Sequence, residues 1–264
     1  MSKPRAPRTS KTTKSRERKA TSTYIQDELA EMNNWKEKEE ENKGLNVLSR
    51  ISIKSGVKLK GEKQKQLAQL IRDNKIVFIK GAAGTGKTFT VIKTTLECMI
   101  EQPEVYRQIL ITKPIIEAGG ESLGFLPGGI DSKIDPYMHS FESTFKKLIT
   151  PGNYKAMLDS NLIKTVPLPF MRGETFQNCI AIFDEAQNTT KLGLKLFLTR
   201  AGEDSKLIVL GDIDQPDIVF KNGEISGLEH AYERLQDTKD IGFFEFGVED
   251  IVRSQILKEI IKKY

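Results

Sequence analysis

Eight consecutive residues, Gly81-Ala82-Ala83-Gly84-Thr85-Gly86-Lys87-Thr88, meet every fixed position of G-x-x-x-x-G-K-[ST]. That spacing suits the phosphates of a nucleoside triphosphate. Glycines let backbone N–H groups turn inward without a Cβ in the way, and a following helix adds unpaired donors and partial positive charge. Lys87 is then placed for the β- and γ-phosphates and the Thr88 hydroxyl for Mg²⁺, with Phe89 continuing the wall. A second candidate group is Asp184-Glu185, which ends the apolar run Cys179-Ile180-Ala181-Ile182-Phe183. At the end of a strand, Asp184 suits the same Mg²⁺, and Glu185 suits orienting or deprotonating an attacking water. A third is Gly211-Asp212 with Gln215, which follows Lys206-Leu207-Ile208-Val209-Leu210. Gln215 is a candidate to touch the γ-phosphate or position the water.

These groups need strands to deliver them. Short apolar runs predict strands at 76–80, 108–112, 178–183, 206–210 and 243–246. Helical patterns are predicted at 63–72, from Thr88 to about Ile100, at 191–199, at 226–234 and from about Glu249 to Tyr264. Buried runs alternating with helices indicate a parallel sheet covered on both faces, where ligands bind beyond the carboxyl ends of the strands. The segment from Gly119 to Tyr137, glycine-rich and interrupted by Pro127 and Pro136, reads as a long functional loop.

The first 22 residues are mostly Lys, Arg, Ser, Thr and Pro with Glu17 as the sole acid, a composition expected to be disordered. It is either an electrostatic arm for nucleic-acid phosphates or a solubilising tail. Residues 24–43 turn acidic and helix-prone. The expected organisation is a basic tail and charged linker over 1–44 and a globular domain over 45–264. The net charge of +5 over 264 residues points weakly to nucleic acid. No apolar run approaches a membrane span, and Cys98 and Cys179 lie in apolar segments as reduced thiols would, so a cytoplasmic location is expected. Two histidines give no zinc-ligand cluster. A guanine-reading Asn-Lys-x-Asp segment and an acceptor lid are both missing, which argues against a GTPase and a nucleotide kinase.

Taken together, the motifs resemble the PhoH family from about Gly61 to Tyr264. The resemblance is carried by Gln64, by Gly81 to Thr88, and by Lys113-Pro114 with Glu117-Ala118-Gly119 and Leu123-Gly124-Phe125-Leu126-Pro127-Gly128. It continues in Phe170-Met171-Arg172-Gly173, Asp184-Glu185-Ala186-Gln187-Asn188, Leu198-Thr199-Arg200, Gly211-Asp212 with Gln215, and Asp250-Ile251-Val252-Arg253. It implies an α/β, three-layer P-loop NTPase with a mostly parallel RecA-like sheet. It also implies Mg²⁺-dependent ATP hydrolysis coupled to RNA or single-stranded DNA, helicase-like in a homo-oligomeric ring, with a hexamer favoured. The alternative is a slow ATP-dependent switch acting on protein partners. By the same analogy Gln64 reads adenine. Arg172, Arg200 and Arg253 compete to stabilise the transferring phosphate. Arg253, far along the chain from the phosphate loop, is expected to serve a neighbouring subunit's ATP. Phe125 and Tyr137 are candidates either to stack on bases or to plug the core. Lys113 stands where the family more usually has arginine, so no role is carried to it.

Overall fold

The computed structural model describes residues 38–114, 130–213, 218, 220, 224–252, 255–261 and 263. The chain divides into two units, Met1–Lys43 and Gly44–Tyr264. In the first, residues 38–43 are helical and exposed. Among the described residues the second holds six strands: β1 (Ile76–Gly81), β2 (Gln108–Thr112), β3 (Ile163–Thr165), β4 (Cys179–Phe183), β5 (Ser205–Gly211) and β6 (Ile241–Phe246). They form one sheet in the order β3-β2-β4-β5-β1-β6, and every pairing is parallel. One strand, β5, stands between the strand leading into the glycine-rich loop and the strand ending in the acid pair, which is the RecA-like arrangement.

Period-two alternation sorts the strand side chains to two faces. Val77, Ile79, Ile109, Ile111, Ile180, Ile182, Ile208 and Leu210 join one buried cluster. Helices α1 (Glu62–Asp73), α2 (Lys87–Glu101) and α3 (Ile130–Leu148) cover it with Leu67, Ile71, Val91, Leu96, Phe141 and Phe145. Helix α4 (Pro151–Asp159) adds Tyr154 and Met157. Phe78, Leu110, Ala181, Phe183, Leu207 and Val209 point the other way, under α5 (Lys191–Leu198) and α6 (Gly227–Leu235), which supply Leu194, Phe197, Leu228 and Ala231. The result is three layers. Both covering helices on the second face start on a hydroxyl cap: Thr190 accepts from the Gly193 N–H at 3.1 Å and Ser226 from the Glu229 N–H at 3.1 Å.

Three expectations are corrected. Strand β3 carries no local signal, because it is three residues long and buries only Ile163. The predicted loop from Gly119 to Tyr137 is partly helix, since α3 already begins at Ile130; residues 115–129, with Phe125, lie outside the described residues. The single closing helix from Glu249 is interrupted. A 3-10 turn spans Val248–Asp250, Ile251 is extended, and α7 runs Gln255–Ile261. The Val252 N–H donates to the Gly84 carbonyl at 3.1 Å, so this backbone is spent on the glycine-rich loop and not on a helix.

Candidate nucleotide site

The glycine-rich loop joins β1 to α2 and needs its glycines for separate reasons. Gly86 has φ of 88°, and a Cβ there would stand 2.5 Å from Gln64 Nε2. Gly81 has φ of 148°, and a Cβ would stand 2.7 Å from Phe246 on the adjoining strand. Gly86 also precedes the first turn of α2, which no side chain caps. The N–H donors of that turn and the helix dipole therefore face the loop, the arrangement that holds phosphate. Inside the loop the Thr85 hydroxyl donates to the Ala82 carbonyl at 3.0 Å.

A cavity of about 700 Å³ opens over this loop. Gln64, Ala83, Gly84, Thr85, Gly86, Lys87, Thr88, Phe89, Asp184 and Glu185 all line it, so most of the sequence-predicted set converges. Gly81 and Ala82 sit beneath, where their carbonyls accept from the Lys87 ammonium, the Ala82 bond being 3.0 Å. Burial pulls the Lys87 ammonium below its ordinary value, while Asp212, Asp184 and Glu185 act in the opposite sense. Burial raises the Asp184 carboxyl, the neighbouring Lys113 charge lowers it, and the Glu185 charge adds to the rise.

The acids come from the ends of β4 and β5, as the sequence predicts. Glu185 has φ of 54° and ψ of 37°, the left-handed region that a non-glycine residue adopts at a cost of about 1–2 kcal/mol. Gln187 braces this bend. Its Nε2 donates to Glu185 Oε2 at 2.9 Å, and its Oε1 accepts from the Asp212 N–H at 3.0 Å. One buried amide thus ties the ends of two strands together. The sequence names Gln187 and Lys113 within its motifs but assigns them no role, and it gives no signal for Ser140, Thr144 and Lys147; all five line the cavity, Gln187 and Lys113 from the sheet end and the other three from α3 and its close. Register held a signal for Lys113: Thr112 pairs with Phe183, so Lys113 and Asp184 are the next residues of neighbouring strands.

Gln64 stands on the cavity wall, but its amide is engaged with protein. Its Oε1 accepts from the Lys60 N–H at 3.0 Å and its Nε2 donates to the Thr85 carbonyl at 3.2 Å. A second lone pair and a second hydrogen are left for a base. Arg200 is not brought to the cavity. It precedes β5, at the opposite end of the sheet from Gly211, and donates to the Glu174 carbonyl at 3.1 Å and to Thr199 Oγ1 at 3.4 Å. Arg172 ends the short helix Leu168–Met171 and is exposed, away from the cavity-lining set. Gln215 and Arg253 lie outside the described residues. Residue 252, however, lines the cavity, which corrects the expectation that this stretch is remote from its own loop. Strand β6 pairs with β1 so that Phe246 faces Gly81, and the chain leaves β6 beside the loop.

Thr88 and Asp184 offer hard oxygen donors of the kind Mg²⁺ takes. Among the described residues no three His, Cys, Asp or Glu side chains form a metal-holding group by themselves. A hydroxyl and a carboxylate fit an ion that keeps several waters and is shared with phosphates.

The family model described as PhoH-like protein matches residues 56–264. The chain is 37% identical over 220 residues to a PhoH-like protein of Mycobacterium bovis, covering 83% of this chain and 60% of that protein. It is 35% identical over 229 residues to a PhoH-like protein of Synechocystis sp., covering 86% and 68%. The chain thus spans about three fifths of the length of the first of these relatives. Among solved structures, Pif1 helicase from Candida albicans aligns with a TM-score of 0.37 at 15% identity, over 72% of this chain and 40% of that one.

Proposed function

From the premise that the chain belongs to the PhoH-like family, we propose that it is a Mg²⁺-dependent ATPase whose turnover is coupled to binding or remodelling RNA or single-stranded DNA. The observation that carries the ATPase reading is the convergence of the glycine-rich loop with Asp184 and Glu185 on one cavity. The loop N–H groups and Lys87 bind the phosphates. Glu185, held by Gln187, takes the proton of the attacking water. Gln215 positions that water. Arg253, next in sequence to the loop-bound Val252, neutralises charge on the transferring phosphate. Mg²⁺ held by Thr88 and Asp184 would neutralise the β- and γ-phosphate oxygens.

The nucleic-acid half of the proposal is supported by the net charge and by the family resemblance. The described domain holds one RecA-like sheet, and a ring of several copies, which would set sites between subunits, is the proposed assembly. Phe170 and Leu192, exposed on neighbouring elements, and Ile256 and Ile260, one turn apart on α7, are two exposed apolar pairs that self-association would cover. The test is phosphate release from Mg·ATP at low salt with and without single-stranded RNA or DNA. Stimulation supports coupling. Turnover indifferent to either strand overturns it and favours the slow switch that acts on protein partners.

A further inference from the structure

Lys113 follows β2 directly, and Asp184 follows β4. Strand register sets them side by side, and the Asp184 N–H donates to the Thr112 carbonyl at 2.9 Å. The Lys113 ammonium lies 3.0 Å from Asp184 Oδ2, with the two side chains 15% and 10% exposed. The same ammonium meets Ser140 Oγ at 3.2 Å and stands 5.0 Å from the centre of the Phe141 ring. Both of these residues belong to α3. Lys113 therefore touches an acid at one end of the sheet and a helix of the covering layer at the same time.

We propose that Lys113 is the resident counter-cation of Asp184: it holds the carboxylate in the nucleotide-free state and yields it to a divalent cation when the metal-loaded nucleotide binds. The inference rests on the nucleotide-site reading above. A buried carboxylate is costly without a partner, and Lys113 is ion-paired with it here. Without nucleotide, Lys87 is engaged with the carbonyls of Gly81 and Ala82 and not with Asp184. An ammonium and a divalent cation repel one another on a single carboxylate, so the two compete. The lysine stem is flexible, which lets the displaced ammonium move off the carboxylate. The contact to Ser140 would be given up in that movement, so the state of the site is passed to α3.

The experiment is equilibrium binding of a fluorescent ATP analogue with excess Mg²⁺ and with excess EDTA. It compares wild type, Lys113→Met, Lys113→Gln and Lys113→Arg, with thermal unfolding as the check on folding. The quantity read is the ratio of the metal-free to the Mg²⁺-loaded Kd. Losing Lys113 leaves Asp184 to repel the metal-free triphosphate and removes a competitor of the metal. The ratio should rise roughly tenfold or more in Lys113→Met. Lys113→Gln, which keeps a donor for Ser140 and Asp184 without the charge, should show the same rise in a fold that retains those contacts. Lys113→Arg should return most of the way to wild type. Equal weakening in both conditions, with the ratio unchanged, would reduce Lys113 to a structural tie and overturn the proposal alone. Absence of wild-type binding in either condition would remove the nucleotide-site reading and this inference with it.

Discussion

Replacing Gln187 by methionine removes two hydrogen bonds while keeping the length of the side chain. One joins Nε2 to a Glu185 carboxylate oxygen at 2.9 Å and the other joins the Asp212 N–H to Oε1 at 3.0 Å. The residue is 3% exposed, so water does not readily replace either partner. A bond to a charged group contributes about 1.5–3 kcal/mol and one to a buried backbone N–H about 1 kcal/mol. A loss near 3 kcal/mol should lower the Tm of a domain this size by about 6–12 °C. The same substitution frees Glu185 within its strained bend. Misplacing a base that must meet a water in line should lower kcat by about tenfold or more while KM for Mg·ATP changes little, because the phosphate loop is untouched. Circular dichroism melting and steady-state phosphate release measure both. A lowered Tm with wild-type kcat would show that Glu185 is oriented without Gln187. A raised KM at constant kcat would place Gln187 in binding.

Two further outcomes follow from local geometry. Because Glu185 sits at φ of 54°, Glu185→Gly should be more stable than Glu185→Ala by about 1 kcal/mol, the reverse of the usual order; chemical denaturation of both variants decides it, and the ordinary order would refute the strain. Burial pushes the Cys179 thiol up to about 12, so iodoacetamide at pH 8 should label it slowly in the native protein and readily once unfolded. The sign of the linkage follows from the same shift: from about pH 9 upward the unfolded thiol loses its proton first, so stability falls as pH rises, and Cys179→Ala should flatten that slope.

The central strands and the acids at their ends were legible because parallel strands buried on both faces read as continuous apolar runs, and chemistry-bearing residues stop them. Gly81 to Thr88 was legible because its spacing is its mechanism. What escaped depends on pairing between distant segments. Lys113 meets Asp184 only because β2 lies next to β4, and nothing local to Lys113 says so. Gln187 acts by joining the ends of two strands, a role invisible from either one. The chain after β6 is remote from the loop only along the sequence, whereas pairing of β6 with β1 sets Val252 against Gly84. That contact also breaks the helix expected from Glu249. Arg200 is the reverse case, a motif residue that the fold does not bring to its own chain's cavity. It carries the right charge in a family-like motif, yet its turn opens β5 and does not close it, and its guanidinium is tied to the Glu174 carbonyl.

The account stands most directly on phosphate release from saturating Mg·ATP by the wild-type chain, by Lys87→Ala and by Glu185→Gln, alongside binding of a fluorescent ATP analogue to each. The expected result is turnover in the wild type that is lost in both variants, with binding weakened in Lys87→Ala and retained in Glu185→Gln. Phosphate release that survives both substitutions would contradict the assignment of this cavity as the hydrolytic site.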